Sequence, residues 1–126
     1  MNSGLKKQML TEHKVVYKIC DKALWSDAEK AGVFKGAEID LADGFIHFST
    51  FDQVASTLGK HFAGRKDLLL VAVDAEALGE KIIYEEARGG ILFPHLYQPL
   101  SLDNVLWAKS IETSEDGQHV IPELDQ

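Results

Sequence analysis

Two histidines stand in settings that could do chemistry. In GFIHFST, residues 44–50, His47 interrupts an apolar run and is followed by Ser49 and Thr50; in FPHLYQPL, residues 93–100, His95 lies in a proline-stiffened stretch two residues before Tyr97. An imidazole titrates near pH ~6.5, so a modest change of surroundings makes it a proton donor or acceptor at neutrality. Glu85, in KIIYEE, is an acid that could fix a histidine tautomer or hold a sugar hydroxyl, while Gln53 and Tyr97 could orient a ligand through hydrogen bonds. These residue types together suit general acid/base work: His47, His95 and Glu85 are the catalytic candidates, with Ser49, Thr50, Gln53 and Tyr97 as ligand-binding candidates. All of this requires that the two histidine segments become neighbours on folding.

Other constructions lack a motif. A metal site could recruit His47, His61, His95 and Glu85, but no H-x-x-x-H or H-E-x-x-H spacing sets two ligands on one helix, so no metal is expected. A serine triad on Ser49 lacks the G-x-S-x-G elbow. GRKDLLL and ARGGILF match neither the Walker pattern nor G-x-G-x-x-G, although Arg65, Lys66 and Arg88 could meet a phosphate. The acids Glu38, Asp40 and Asp43 do not follow the D-x-D-x-D-G calcium loop and read as a solvated surface loop spanning residues 33–44. His13 and His119 fall in presumed tails, and His61 closes a helix, where a charged imidazole meets the helix dipole favourably. A cleft with a few convergent polar groups needs no missing motif.

The elements that must position these groups are short. VVYKIC (residues 15–20) is a β-branched first strand, and KALWSDAEKAG carries Leu24, Trp25, Ala28 and Ala31 at helical spacing, with Asp21 as a cap, Trp25 as a core anchor and Gly32 as a stop. FIHFS is a second strand whose alternation puts Phe45, His47 and Ser49 on one face and Ile46 and Phe48 on the other. Thr50 and Gln53 form a capping box that starts a helix running to about Phe62. DLLLVAVDA (residues 67–75) is an unbroken apolar run of the kind covered on both faces, and is expected to be central. KIIYEE is another strand, with Glu85 and Ile83 opposite in sense to Ile82 and Tyr84. Pro94 and Pro99 point to an edge, a bulge or a loop for ILFPHLYQPL, and VLWAKSI is the last strand.

With 126 residues, 45% of them hydrophobic, the chain can bury one sizeable core. The expected division is a tail over residues 1–14, one globular domain over 15–111 and an acidic tail over 112–126. Thirteen basic against 20 acidic residues, a net charge of −7, disfavour general nucleic-acid binding through phosphate neutralisation. A single cysteine, Cys20, excludes an intramolecular disulfide and fits a reducing cytoplasm. No run approaches the ~20 apolar residues that span a bilayer, and the opening MNSGLKKQMLTEHK has no signal-peptide core, so neither membrane insertion nor export is expected.

At DGFIHFST, DLLLVAVDAEAL and FPHLYQPL the sequence resembles the small bacterial family catalogued as domain of unknown function 952, over about residues 15–111. The resemblance implies a fold similar to the ADP-ribosyltransferase superfamily: a compact α+β domain with a split, mainly antiparallel sheet and short flanking helices around a ligand cleft. A more distant similarity to RNA 2′-phosphotransferases places GFIHFST on their second-motif strand. On that resemblance His47 would touch the nicotinamide-ribose or phosphate part of a ligand, Ser49 would lie beside it, and Glu85 would match the late acidic position. Tyr17 and Lys18 stand where such enzymes present histidine or arginine to the nucleotide. They are therefore ligand-binding candidates that depart from the pattern, and NAD as cofactor is left open. The expected function is an ADP-ribosyltransferase-like enzyme, of ADP-ribosyl or phosphoryl transfer type, or a degenerate one, that binds a nucleotide or another phosphorylated small molecule. The alternatives are a noncatalytic metabolite- or peptide-binding module and, third, a metal-dependent hydrolase.

Overall fold

The structure, a computed structural model, describes residues 13–124. Strand β1 (Val15–Asp21) and strand β4 (Leu68–Asp74) pair antiparallel along their whole length, Val15 opposite Asp74 and Asp21 opposite Leu68. Strand β8 (Val105–Thr113) pairs with the other side of β4, and β9 (His119–Val120) with the end of β8, giving the order β1-β4-β8-β9. The unbroken apolar run of β4 is thus central, as its composition demands: alternate residues feed different cores. Leu68, Leu70 and Ala72 pack with Val15, Tyr17, Ile19 and Ile111 on one face, while Val71 and Val73 pack with Val16 and Cys20 on the other.

A second sheet, of order β3-β6-β5, covers that other face. It consists of β3 (Ile46–His47), β6 (Leu92–Leu96) and β5 (Ile82–Glu86), all antiparallel. Its register produces two rows. Ile46, Leu96 and Ile82 lie side by side and face the core, whereas His47, His95 and Ile83 lie side by side on the outer face. The chain leaving β3 carries the sheet onward, because Ser49 and Tyr17 exchange backbone hydrogen bonds, both 2.8 Å. The outcome is α+β, a curled antiparallel sheet with a split between β1 and β3, flanked by short helices.

Helix α1 (Lys22–Ala31) drives Trp25 and Ala28 into the core and stops at Gly32, whose φ of 79° only glycine adopts without cost. Asp21 precedes it without a side-chain cap; its carboxylate accepts instead from Arg65 at 2.6 Å. Helix α3 (Val54–His61) packs Val54 and Leu58 on the opposite face of the large sheet. Gln53 reaches from the turn before it to two places: its Oε1 accepts from Thr50 N at 3.0 Å and its Nε2 donates to Leu92 O at 2.8 Å. The expected capping side chain thus also clips the helix entry to β6.

Three expectations need correction. Residues 33–44 are not a solvated loop: β2 (Val33–Phe34) pairs with β7 (Leu100–Ser101), and helix α2 (Glu38–Asp43) follows, with Asp40 buried. Pro94 does not put ILFPHLYQPL at a rim, because β6 is the middle strand. The N and O of one strand residue point to the same side, and Pro94 O accepts from Phe48 N at 3.0 Å, so the missing donor faces the frayed end of β3 rather than β5. Residues 112–120, expected within an acidic tail, continue β8 and turn back into β9. A short helix α4 (Ala75–Leu78) links β4 to β5. Among the described residues no helix is long and apolar enough to cross a membrane.

Candidate functional site: two carboxylate–histidine pairs at the split

Asp40 is the organiser. Its carbonyl accepts from Gly44 N at 2.8 Å and Phe45 N at 3.2 Å, closing α2 and launching GFIH. Its carboxylate, 1% exposed, receives Ala37 N at 2.7 Å on Oδ2, and His47 N at 3.1 Å and His47 Nδ1 at 2.6 Å on Oδ1. Lys18 reaches it from β1, across the split, with Nζ 2.8 Å from Oδ2 and 3.0 Å from Oδ1. A buried lysine and a buried carboxylate each cost several kcal/mol to desolvate, and are tolerated here because each neutralises the other and the carboxylate has further donors. Burial pushes the Asp40 carboxyl up, but the His47 hydrogen bond and the Lys18 ammonium outweigh it and hold it at about 2. Close packing of this turn requires Gly36: at its φ of 123° any Cβ would lie 2.8 Å from that of Asp40.

His47 shows its other edge to solvent, 31% exposed, with Nε2 2.9 Å from Asp43 Oδ2. Both ring nitrogens face carboxylate oxygens, so the doubly protonated ring donates to both, and a ring that has lost its Nε2 proton still donates to Asp40. The two nitrogens are therefore set apart by burial: Nδ1 is anchored on the sealed Asp40, whereas Nε2, paired with the half-exposed Asp43, is the atom that a ligand can reach.

The second pair stands on the adjacent strands. His95 Nδ1 is 2.7 Å from Glu85 Oε1, which also accepts from Tyr97 OH at 2.6 Å. These bonds, that from Tyr97 foremost, lower the Glu85 carboxyl below its ordinary value, and the same contact raises the Tyr97 phenol. Phe45 closes over both pairs, its ring centroid 4.1 Å from that of His95, 4.5 Å from His47 and 5.0 Å from Tyr97, while the imidazoles meet edge-on at 5.5 Å.

Residues 19–108 match the family described as Protein of unknown function (DUF952). The chain belongs to the DUF952 family. A crystal structure of protein CC0527 from Caulobacter crescentus is similar to this chain, with 43% identity over 84% of this chain and 93% of that one and a TM-score of 0.79. The solution NMR structure of the same protein gives 44% identity over 82% and 90%, with a TM-score of 0.74. No curated protein matches the chain.

In this DUF952 chain the fold brings His47, His95, Glu85 and Tyr97 together on the outer face of the small sheet. Of the remaining candidates Lys18 alone reaches this group, through the Asp40 carboxylate that it shares with His47. Ser49, expected on the face of His47, is buried and shares a 2.9 Å hydrogen bond with Thr57, because its bridge to Tyr17 turns it into the large sheet. Thr50 is buried, and both ends of the Gln53 amide are engaged in tying the helix entry. Tyr17 is fully buried within the core, and the Lys18 ammonium is closed on Asp40, so both act on the fold from β1. His61 belongs to α3, on the far face of the large sheet. His119 Nε2 lies 2.9 Å from Arg65 O. No group of three or more histidines, cysteines and acids is placed to hold a metal among the described residues. Burial pushes the Cys20 thiol up to about 12, which keeps it protonated and inert.

Asp40, Asp43 and Phe45 were not singled out by sequence for this site. The signals were present but weak: Asp43 stands four residues before His47, and Gly36 stands where Asp40 folds back.

Proposed function

We propose that this chain is an acid/base enzyme of ADP-ribosyltransferase-like architecture, or a degenerate descendant of one, that binds a nucleotide or another phosphorylated small molecule at the split between its sheets. What carries the reading is the Asp40–His47 pair: one ring nitrogen is anchored on a buried, ionised carboxylate, and the other lies at the surface against the half-exposed Asp43. A ligand oxygen that takes the place of Asp43 at Nε2 exchanges a proton with the anchored imidazole, a contribution of ~10²–10⁴-fold in rate. In this reading His47 positions or protonates the reacting oxygen. His95, nearly buried beneath Phe45, acts through Glu85, and Glu85 with Tyr97 meets the ligand's hydroxyls. The split, curled antiparallel sheet supports the architectural part. The cofactor is open: with Tyr17 and Lys18 committed to the fold, NAD would have to be held by other residues.

The test is calorimetric titration with NAD, ADP-ribose, ATP and a ribose phosphate, followed by product analysis. Wild type is expected to bind at least one of these and turn it over, with His47→Ala reducing turnover by ~10²-fold or more. Equal turnover in folded His47→Ala, or no binding of any of the four, overturns the proposal. A second reading, a noncatalytic binding module, is favoured by the exposed Ile83 and Tyr97 on the same outer face. It is the outcome if ligand is recovered intact after prolonged incubation.

A further inference from the structure

Beside the two pairs, and behind Phe45, lies an open hollow of about 200 Å³. Its walls are apolar, formed by Leu41, Phe45, Ile46, Leu96 and Pro99, and two polar groups lie in its lining, Lys35 and Gln98. Neither side chain forms an ion pair or hydrogen bond among the described residues, unlike the other polar groups there. The Asp40 carboxylate also lines it, and would ordinarily repel an anion. Here it is saturated by Lys18, Ala37 N and both nitrogens of His47 that face it, and its charge is offset by the Lys18 ammonium. Tyr97 presents its ring while its hydroxyl is held by Glu85. The hollow thus joins an uncommitted cation and an amide to a ring-sized apolar wall: a cavity of about 150 Å³ accommodates one benzene ring.

We infer that this hollow is a binding site for a small organic anion, a carboxylate or phosphate monoester whose apolar body is no larger than one ring, with the anionic group on Lys35 and Gln98 and the body against Phe45, Leu41 and Pro99. The inference rests on the proposed function in one respect, that Asp40, Phe45 and Tyr97 form a wall common to the hollow and the histidine pairs, so that the hollow would seat the nonreacting end of the same ligand. The anion preference follows from charge: a hydrogen bond to a charged group contributes more than a neutral one, by enough to separate ligands about tenfold.

The probes are benzoate, phenyl phosphate and neutral benzyl alcohol, titrated into the full chain and followed by amide chemical shifts. Benzoate or phenyl phosphate is expected to bind about tenfold more tightly than benzyl alcohol, with shifts centred on residues 35, 41, 45 and 97–98. Lys35→Gln and Leu41→Glu, both at exposed positions that leave the core intact, are each expected to remove that preference, whereas Lys60→Gln, on the far face of the large sheet, retains it. Absence of binding by both anions, equal affinity for the alcohol, or unchanged anion binding in both hollow variants overturns the inference. Turnover of a nucleotide without binding of either anion would refute the hollow and leave the acid/base reading standing; anion binding by a chain that turns nothing over does the reverse.

Discussion

The two carboxylate–histidine pairs are built from the same parts with the burial exchanged. At Asp40–His47 the acid is sealed, 1% exposed, and the ring is open at 31%; at Glu85–His95 the ring is sealed at 6% and the acid open at 38%. The exchange follows from where each acid originates. Asp40 hangs from α2, inside the turn that it organises and within reach of a lysine from the other sheet, while Glu85 stands on β5, facing outward, its partners among the described residues being the His95 ring and the Tyr97 phenol. A sealed acid fixes its partner and leaves the partner free to react. An open acid is itself the reachable group, and its sealed partner serves as its donor. The first pair therefore offers a nitrogen to a ligand and the second offers an oxygen.

Removing each acid tests that contrast most severely. Asp40→Asn deprives the buried Lys18 ammonium of its counter-charge, and breaking such a buried pair costs about 3–5 kcal/mol. Glu85→Gln breaks only a half-exposed one, worth ~0–1 kcal/mol. Urea unfolding should separate the two variants by several kcal/mol, and equal losses would show that the burial difference has no energetic meaning.

Acid titration is expected to sharpen the comparison next. The folded Asp40 carboxyl, at about 2, lies below its unfolded value near ~3.9, so the unfolded chain takes up the proton first. The stability that this group contributes is complete above about pH 4 and is lost as pH falls toward 2, in total about 2 kcal/mol. Urea midpoints measured from pH 5 to pH 2 should show this loss in wild type and not in Asp40→Asn.

Smaller effects belong to the supports. Gln53→Ala cuts the clip between Thr50 and Leu92 that ties the α3 entry to β6, for about 1–2 kcal/mol, read as a lower thermal midpoint. Tyr97→Phe should leave the thermal midpoint almost unchanged, since the phenol is exposed. It should nevertheless raise the Glu85 titration toward its ordinary value, visible in the carboxyl carbon resonance, and leave that of Asp40 in place. If the Asp40 resonance moves as well, the pairs are coupled through Phe45 rather than merely adjacent.

Local patterns made much of the frame legible. The period-two alternation from Phe45 to Phe48, though not on to Ser49, the unbroken apolar run of β4, the helical spacing behind Trp25 and the Thr50–Gln53 cap survive into the structure, because each expresses a preference of a few neighbouring residues for water or for burial. The position of β6 in the sheet did not, since proline's lost donor matters only on the side where a partner strand lies, and that side is decided by the sheet order. The segment holding Asp40 read as a solvated loop for a similar reason. A carboxylate has no intrinsic preference for burial, and Asp40 becomes buried only when Lys18, 22 residues earlier, arrives from another sheet.

By itself, then, the sequence determined the longer strands and helices, though not the elements within residues 33–44 or 112–120, and that a histidine must stand among apolar neighbours at residue 47. Tertiary structure decided that this histidine pairs with residue 95 across two strands, which acid each imidazole receives, and which nitrogen is sealed and which lies at the surface. Those choices depend on charge meeting charge over long sequence separations, and electrostatic energy depends on distance and burial, neither of which exists before the sheet has curled.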